Sequence, residues 1–126
     1  MSKEARLIAV VDDEEPIRKA LSRLLRLAGL KVETFASGIQ FLESVRTHTP
    51  DCLVLDLHMP ETDGFQVESQ LAHAGFRIPI VAITGCDAPN ERERMTARGV
   101  AAFLHKPLDG QALLAAVTTA TERSQA

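Results

Sequence analysis

The sequence predicts an α/β fold in which one parallel sheet of five strands is wound with helices on both faces. Three observations carry this. Short apolar runs rich in branched residues recur, as in Leu7-Ile8-Ala9-Val10-Val11, Cys52-Leu53-Val54-Leu55 and Pro79-Ile80-Val81-Ala82-Ile83, and strands buried on both faces read this way. Stretches with helical spacing of apolar residues separate them. A glycine followed by an apolar residue recurs as Gly29-Leu30, Gly75-Phe76 and Gly99-Val100, the pattern of a left-handed helix end that opens the next strand. Strand and helix in strict alternation imply right-handed crossovers and a parallel sheet covered on both sides.

The elements follow in order. Leu7 to Val11 is the first strand. Glu14-Glu15-Pro16 then suits a helix start, with acids and a proline in the first turn. Ile17, Leu21, Leu24, Leu25 and Ala28 recur at helical spacing, and Gly29 closes that helix. Lys31 to Phe35 alternates and reads as a weaker strand near an edge. Ser37 can cap a second helix with Ile39, Phe41, Leu42 and Val45 on its apolar face, and Pro50 stops it. Cys52 to Leu55 is the third strand, broken by Pro60, Asp63 and Gly64. Phe65, Val67, Leu71 and Ala72 carry a third helix to Gly75. Pro79 to Ile83 is the fourth strand, ending at Thr84. Residues from Ala88 to Arg98 form a fourth helix, and Val100 to Leu104 a fifth strand ending at Lys106-Pro107. Asp109 caps a fifth helix built on Leu113, Leu114, Val117 and Ala120. This series fits a flavodoxin-like doubly wound sheet of order 2-1-3-4-5.

Composition narrows the function. The chain has 126 residues, 45% of them hydrophobic, which is enough for one globular domain over residues 1–126. A formal net charge of -3 gives no basic footprint for direct nucleic-acid contact. No apolar run is long enough to span a bilayer and the N-terminal residues do not begin a signal peptide. Cys52 and Cys86 have no metal-binding or C-x-x-C spacing and read as reduced thiols of a cytoplasmic protein. The histidines His48, His58, His73 and His105 show no metal spacing either and read as surface residues.

The polar residues at the strand ends carry the chemistry. The first strand delivers Asp12 and Asp13, the third Asp56, the fourth Thr84 and the fifth Lys106. The first and third strands flank the switch point of such a sheet, so their ends meet at its crevice. Carboxylates crowded there raise one another's cost of ionisation. A hard divalent cation relieves that, and Mg²⁺, with Mn²⁺ as a substitute, suits all-oxygen donors. A cation, a lysine, a hydroxyl and one exposed carboxylate together suit phosphoryl transfer, with Asp56 as nucleophile.

The residues Asp12-Asp13, Asp56 with Met59-Pro60 and Gly64, Thr84-Gly85, and Lys106-Pro107 resemble, in order and over essentially the whole chain, the receiver domain of a two-component response regulator. Val11 to Lys19 and Ile83-Thr84-Gly85 are most similar to the receivers of the nitrogen-fixation and nitrate-response regulators, of FixJ and NarL type. The resemblance implies that Asp56 receives a phosphoryl group from a histidine kinase or histidine phosphotransfer protein. It implies Mg²⁺ ligation by Asp13, Asp56 and the backbone carbonyl of His58, with Asp12 acting through water. Thr84 is expected to move toward the phosphoryl group, Lys106 to pair with it, and the Lys106–Pro107 bond to be cis. Phe103 falls on the aromatic switch position. His58 and Cys86, two beyond Asp56 and Thr84, are expected to tune attack by water.

Two further expectations concern the surface. The fourth helix has Met95 as its one large apolar residue, which predicts a weakly held element that shifts on phosphorylation, unless i,i+4 charge pairs hold it as a plain solvated helix. The first helix carries Arg18, Lys19, Arg23 and Arg26, where a kinase could dock. The sequence reads as a switch module that catalyses only its own phosphorylation and dephosphorylation. Its output would be protein contact through the fourth helix, fifth strand and fifth helix, as a monomer, with a dimer as the alternative when phosphorylated. The alternative is an excised receiver of a DNA-binding regulator. An aspartate-nucleophile phosphatase, with His58 as acid, lacks a substrate cap. A nucleotide or flavin site lacks a glycine-rich phosphate loop, since Asp12 to Glu15 is acidic.

Overall fold

The computed structural model describes residues 5–85 and 88–123. Strands β1 (Leu7–Val11), β2 (Lys31–Phe35), β3 (Cys52–Asp56), β4 (Ile80–Thr84) and β5 (Ala102–His105) alternate with helices α1 (Glu15–Leu27), α2 (Gly38–Ser44), α3 (Gly64–His73), α4 (Glu91–Ala97) and α5 (Gly110–Arg123). Every strand pairing is parallel, and the order is β2-β1-β3-β4-β5. This is the flavodoxin-like doubly wound sheet that the sequence predicts.

The two-residue repeat of a strand sorts the core into layers. Ile8 and Val10 of β1, Cys52 and Val54 of β3, and Val81 and Ile83 of β4 pack with Leu21 and Leu25 of α1 and Leu113 and Val117 of α5. Their neighbours Ala9, Val11, Leu53 and Leu55 face the other way, onto Phe41 of α2 and Val67 and Leu71 of α3. A third, smaller cluster joins Leu57, Phe65 and Ala82 to Met95 of α4, with Phe103 packed against it.

The recurrent glycine phrase has one physical cause. Gly29, Gly75 and Gly99 stand at φ of +89°, +85° and +82°. Beyond each, the apolar residue sends its N–H back into the helix: Leu30 to the Leu25 carbonyl, Phe76 to Leu71 and Val100 to Met95. This is the Schellman closure, which satisfies carbonyls that a helix end leaves unpaired.

The structure corrects four expectations. Helix α4 begins at Glu91 rather than near Ala88, because Pro89 follows Ala88 and Asn90 turns left-handed at φ +69° before the helix can start. Strand β5 begins at Ala102 rather than Val100, whose N–H is still engaged in closing α4. Ile39 is 45% exposed and lies outside the apolar face of α2 that Phe41 and Val45 bury. Helix α4 has more than one anchor: Glu91 is buried along with Met95, and the guanidinium carbons of Arg94 and Arg98 lie 4.0 and 5.5 Å from the centroid of Phe65. Arg98 also donates to Glu68 and Ser69 of α3. Arg94 and Arg98 therefore reach α3.

Candidate functional site

Register brings the acids together. Val11 pairs with Leu55 across β1 and β3, so the next residues, Asp12 and Asp56, leave the sheet side by side. The ladder continues past the strand ends, with Asp12 N–H donating to the Phe35 carbonyl, Leu57 N–H to Ile83 and Lys106 N–H to Thr84. By the same two-residue repeat, Asp12, Asp56 and Lys106 continue the side of the sheet that faces α1 and α5.

Asp56, expected to be an exposed carboxylate, is instead 1% exposed because it is still within β3 and paired to Ile83 of β4; Asp12 is buried at 0%, and Asp13 is exposed. One carboxylate oxygen from each of the three lies within 4.8 Å of the others. The Nζ of Lys106 sits 2.9 Å from Asp12 Oδ2, 2.9 Å from Glu14 Oε1 and 3.5 Å from Asp56 Oδ2. Backbone donors fix the carboxylates: Glu14 N–H donates to Asp12 Oδ1 at 2.8 Å, and His58 N–H to Asp56 Oδ1 at 3.2 Å. The buried Asp12 Oδ2 makes no hydrogen bond of proper angle among the described residues, so its contact with Lys106 is an ion pair.

The electrostatics follow from this packing. Burial, and then the charge of Asp12, push the Asp56 carboxyl from 3.8 up to about 6, against the pull of the His58 N–H and Lys106. Burial works against the Lys106 charge, yet Asp12, Glu14 and Asp56 overcome it and hold the ammonium above the usual lysine range. The crevice thus has hard oxygen donors in excess, one of them lacking a hydrogen bond. That donor set fits an oxygen-preferring divalent cation held by a few carboxylates.

Gly64 lets the next helix lie against this crevice. A Cβ on Gly64 would stand 2.9 Å from the Asp56 carbonyl oxygen and 2.7 Å from Leu57 Cδ2, so only glycine fits. Asp63 caps α3 just before it, in a reciprocal box with Gln66.

Thr84 ends β4 fully buried, and its repeat aims it to the α4 side of the sheet. Phe103 pairs with Ala82 across β4 and β5 on that same side. The Arg92 guanidinium carbon lies 5.0 Å from the centroid of the Phe103 ring, and His105 meets its edge at 5.4 Å. The Lys106–Pro107 peptide is cis. Cys52 is free and buried, which pushes its thiol up to about 12. Cys86 lies outside the described residues.

Three site residues escape the sequence reading. Glu14 shares Lys106 with Asp12. Arg18, read as docking surface, donates to the Asp12 carbonyl at 2.8 Å. Glu91, buried at the start of α4, takes the ring of His58, with Nε2 2.8 Å from Oε2 and 3.0 Å from Oε1. Nearness to Asp12 in sequence could have flagged the first two. Nothing in the charged run Asn90 to Arg98 singles out Glu91, whose partner lies in another loop. His58 is exposed, as expected, but it is a bridge rather than a plain surface residue.

The family model described as response regulator receiver domain matches residues 8–118. The response regulator protein TodT of Pseudomonas putida is 40% identical over 121 residues, covering 95% of this chain and 53% of that protein. Nodulation protein W of Bradyrhizobium diazoefficiens is 37% identical over 119 residues, covering 94% and 52%. The chain therefore spans about half the length of these curated relatives. Among solved structures, FixJ-N matches with a TM-score of 0.85 at 32% identity, covering 95% of this chain and 96% of that one. The response regulator StyR matches at 0.88 and 38%, covering 96% and 62%. No described helix is long and apolar enough to cross a membrane. Sequence, fold and strand-end carboxylates lead to one family, and the chain belongs to the response regulator receiver domains of two-component signalling.

Proposed function

We propose that Asp56 is the phosphoacceptor of this receiver. The observation that carries the proposal is the placement of Asp56: a buried carboxylate at the end of β3, within 4.8 Å of two others and 3.5 Å from the ammonium of Lys106. An Asp56 oxygen attacks the phosphorus of a phosphohistidine, on a histidine kinase or phosphotransfer protein. The P–N bond breaks and its electron pair stays on the imidazole. Lys106 pairs with the oxygens of the transferred group, and Thr84 donates its hydroxyl to one of them. Asp12, Asp13, Asp56 and the His58 carbonyl would hold Mg²⁺, or Mn²⁺, which supplies charge neutralisation to the transferring group. Phe103 follows Thr84 on the α4 side and carries the change to the face formed by α4, β5 and α5.

On this reading residues 1–126 act as one switch domain in the cytoplasm. The domain catalyses its own phosphorylation and dephosphorylation and turns over no other substrate. A downstream protein reads the phosphorylated face, as does a second copy if the domain dimerises.

The test is labelling by a small acyl phosphate in Mg²⁺. Stoichiometric, hydroxylamine-sensitive label that is lost in Asp56→Asn supports the reading. Equal labelling of Asp56→Asn overturns it. Steady turnover of a chromogenic phosphate ester would instead mark an aspartate-nucleophile phosphatase.

A further inference from the structure

We propose that Glu91 is a positioning residue for the phosphoacceptor, acting through His58. The inference rests on Asp56 being that acceptor. Two contacts make the chain of positions. The His58 ring Nε2 is hydrogen-bonded to Glu91 Oε1 at 3.0 Å and lies 2.8 Å from Oε2. The His58 backbone N–H donates to Asp56 Oδ1 at 3.2 Å. The residue that orients the nucleophile is thus itself held from the side, by a helix that begins beyond the next strand.

Burial gives this tie its strength. The Glu91 side chain is 8% exposed, and its carboxylate meets the His58 ring. A buried carboxylate without a partner is costly, far more than a solvated one. Helix α4 is only a short helix, Glu91–Ala97, and its buried residues are Glu91 and Met95. Met95 seats it by apolar contact, which is non-directional. The Glu91–His58 bond gives the first turn its register against the loop after β3. Release of either end frees the loop and the first turn of the helix, while Arg98 still ties the far end to Glu68 and Ser69 of α3.

The consequence concerns hydrolysis of the acyl phosphate. In that step a water oxygen bonds to phosphorus and the bond from phosphorus to the Asp56 oxygen breaks. Its electron pair remains as the carboxylate, the water proton passes to solvent, and inorganic phosphate leaves. The strap spans the loops after β3 and β4, at the rim of the crevice. Cutting it loosens the Asp56 carboxylate and widens the approach for water, so the phosphoryl group is lost sooner.

The test uses the whole chain and four variants. Glu91→Met keeps length and removes the acceptor. Glu91→Gln removes the charge and keeps the acceptor. His58→Ala removes the ring and leaves the Glu91 carboxylate unpaired, and the fourth variant, Glu91→Met with His58→Ala, removes both partners together. Decay of the hydroxylamine-sensitive label is followed in each, with the His58 ring and amide nitrogen shifts in the unphosphorylated proteins. Loss of one such tie should shorten the lifetime about fivefold. Glu91→Met and His58→Ala should act alike and the double variant no more strongly, while Glu91→Gln stays near wild type. The His58 amide shift should move in Glu91→Met.

An unchanged lifetime in His58→Ala, or effects that multiply in the double variant, overturns the inference. Equal loss in Glu91→Gln and Glu91→Met also overturns it, in favour of an effect of charge alone. If the wild type takes no label, the functional reading fails. The shifts then still decide the strap, and an unmoved His58 amide in Glu91→Met removes it.

Discussion

Replacing Asp56 with asparagine removes a charge that the metal-free fold holds at a cost. The side chain is almost fully buried, and its carboxyl is lifted from 3.8 to about 6 by that burial and by Asp12. Each pH unit is about 1.4 kcal/mol, so ionised Asp56 costs the fold up to about 3 kcal/mol at neutral pH. The folded value is the raised one. Its favourable contribution is therefore complete below the unfolded value and lost as pH climbs through about 6. Asparagine has nearly the same shape. Its oxygen can keep the His58 N–H, and its amide can donate to Asp12 Oδ2, which has no hydrogen bond among the described residues. Asp56→Asn should thus stabilise the protein in EDTA by about 2 kcal/mol at pH 7.5, or roughly 6 °C in Tm for a domain of this size. The gain should fade toward zero by pH 4. Urea titrations followed by far-UV circular dichroism measure it, since the sequence has neither Trp nor Tyr. A variant no more stable than wild type at pH 7.5, or a gain as large at pH 4 as at pH 7.5, refutes the reasoning. Saturating Mg²⁺ should reverse the order, because only the wild type keeps the third carboxylate.

Other perturbations test other parts of the same structure. Lys106→Met leaves Asp12 and Asp56 without their shared cation and should cost about 3 kcal/mol in EDTA, with part of the loss recovered in Mg²⁺ in the same titration. Gly64→Ala forces a Cβ against the Asp56 peptide; it should cost about 2 kcal/mol and slow labelling at Asp56. Met95 is fully buried, and Met95→Ala should cost about 3 kcal/mol and speed amide exchange in α4 far more than in α1. The Cys52 thiol, buried and pushed up to about 12, should resist iodoacetamide at pH 8 in the folded protein and react in urea, as peptide mapping can show.

The acidic crevice was legible because its residues end apolar runs. Asp12 follows Ile8 to Val11 and Asp56 follows Cys52 to Leu55, so the break in hydrophobicity marks both the strand end and the site. The glycine phrases likewise carried a local signal, since a Schellman closure is written within a few neighbouring residues. Glu91 had no such signal. Its burial depends on a partner 33 residues away, and in sequence it is one acid among arginines. The true starts of α4 and β5 were hidden for a related reason. Asn90 adopts a left-handed turn and Val100 still serves the preceding helix, and neither choice is dictated by hydrophobic period. Arg18 and Glu14 read as solvated charges because a long polar side chain reports its destination only in three dimensions.

The two-residue repeat of the strands has a consequence of its own. It starts Asp12, Asp56 and Lys106 from one side of the sheet and Thr84 and Phe103 from the other, and the two sides meet at the strand ends. Apart from Gly64, which lies against Asp56, helices α2 and α3 can therefore accumulate substitutions against Leu53 and Leu55 away from the place where the charges meet. The faces of α4 and β5 can do the same around Phe103. Such a division lets a lineage change what reads the domain while keeping how it is charged, and the Glu91–His58 bond is among the few places where a change on one side must be answered on the other.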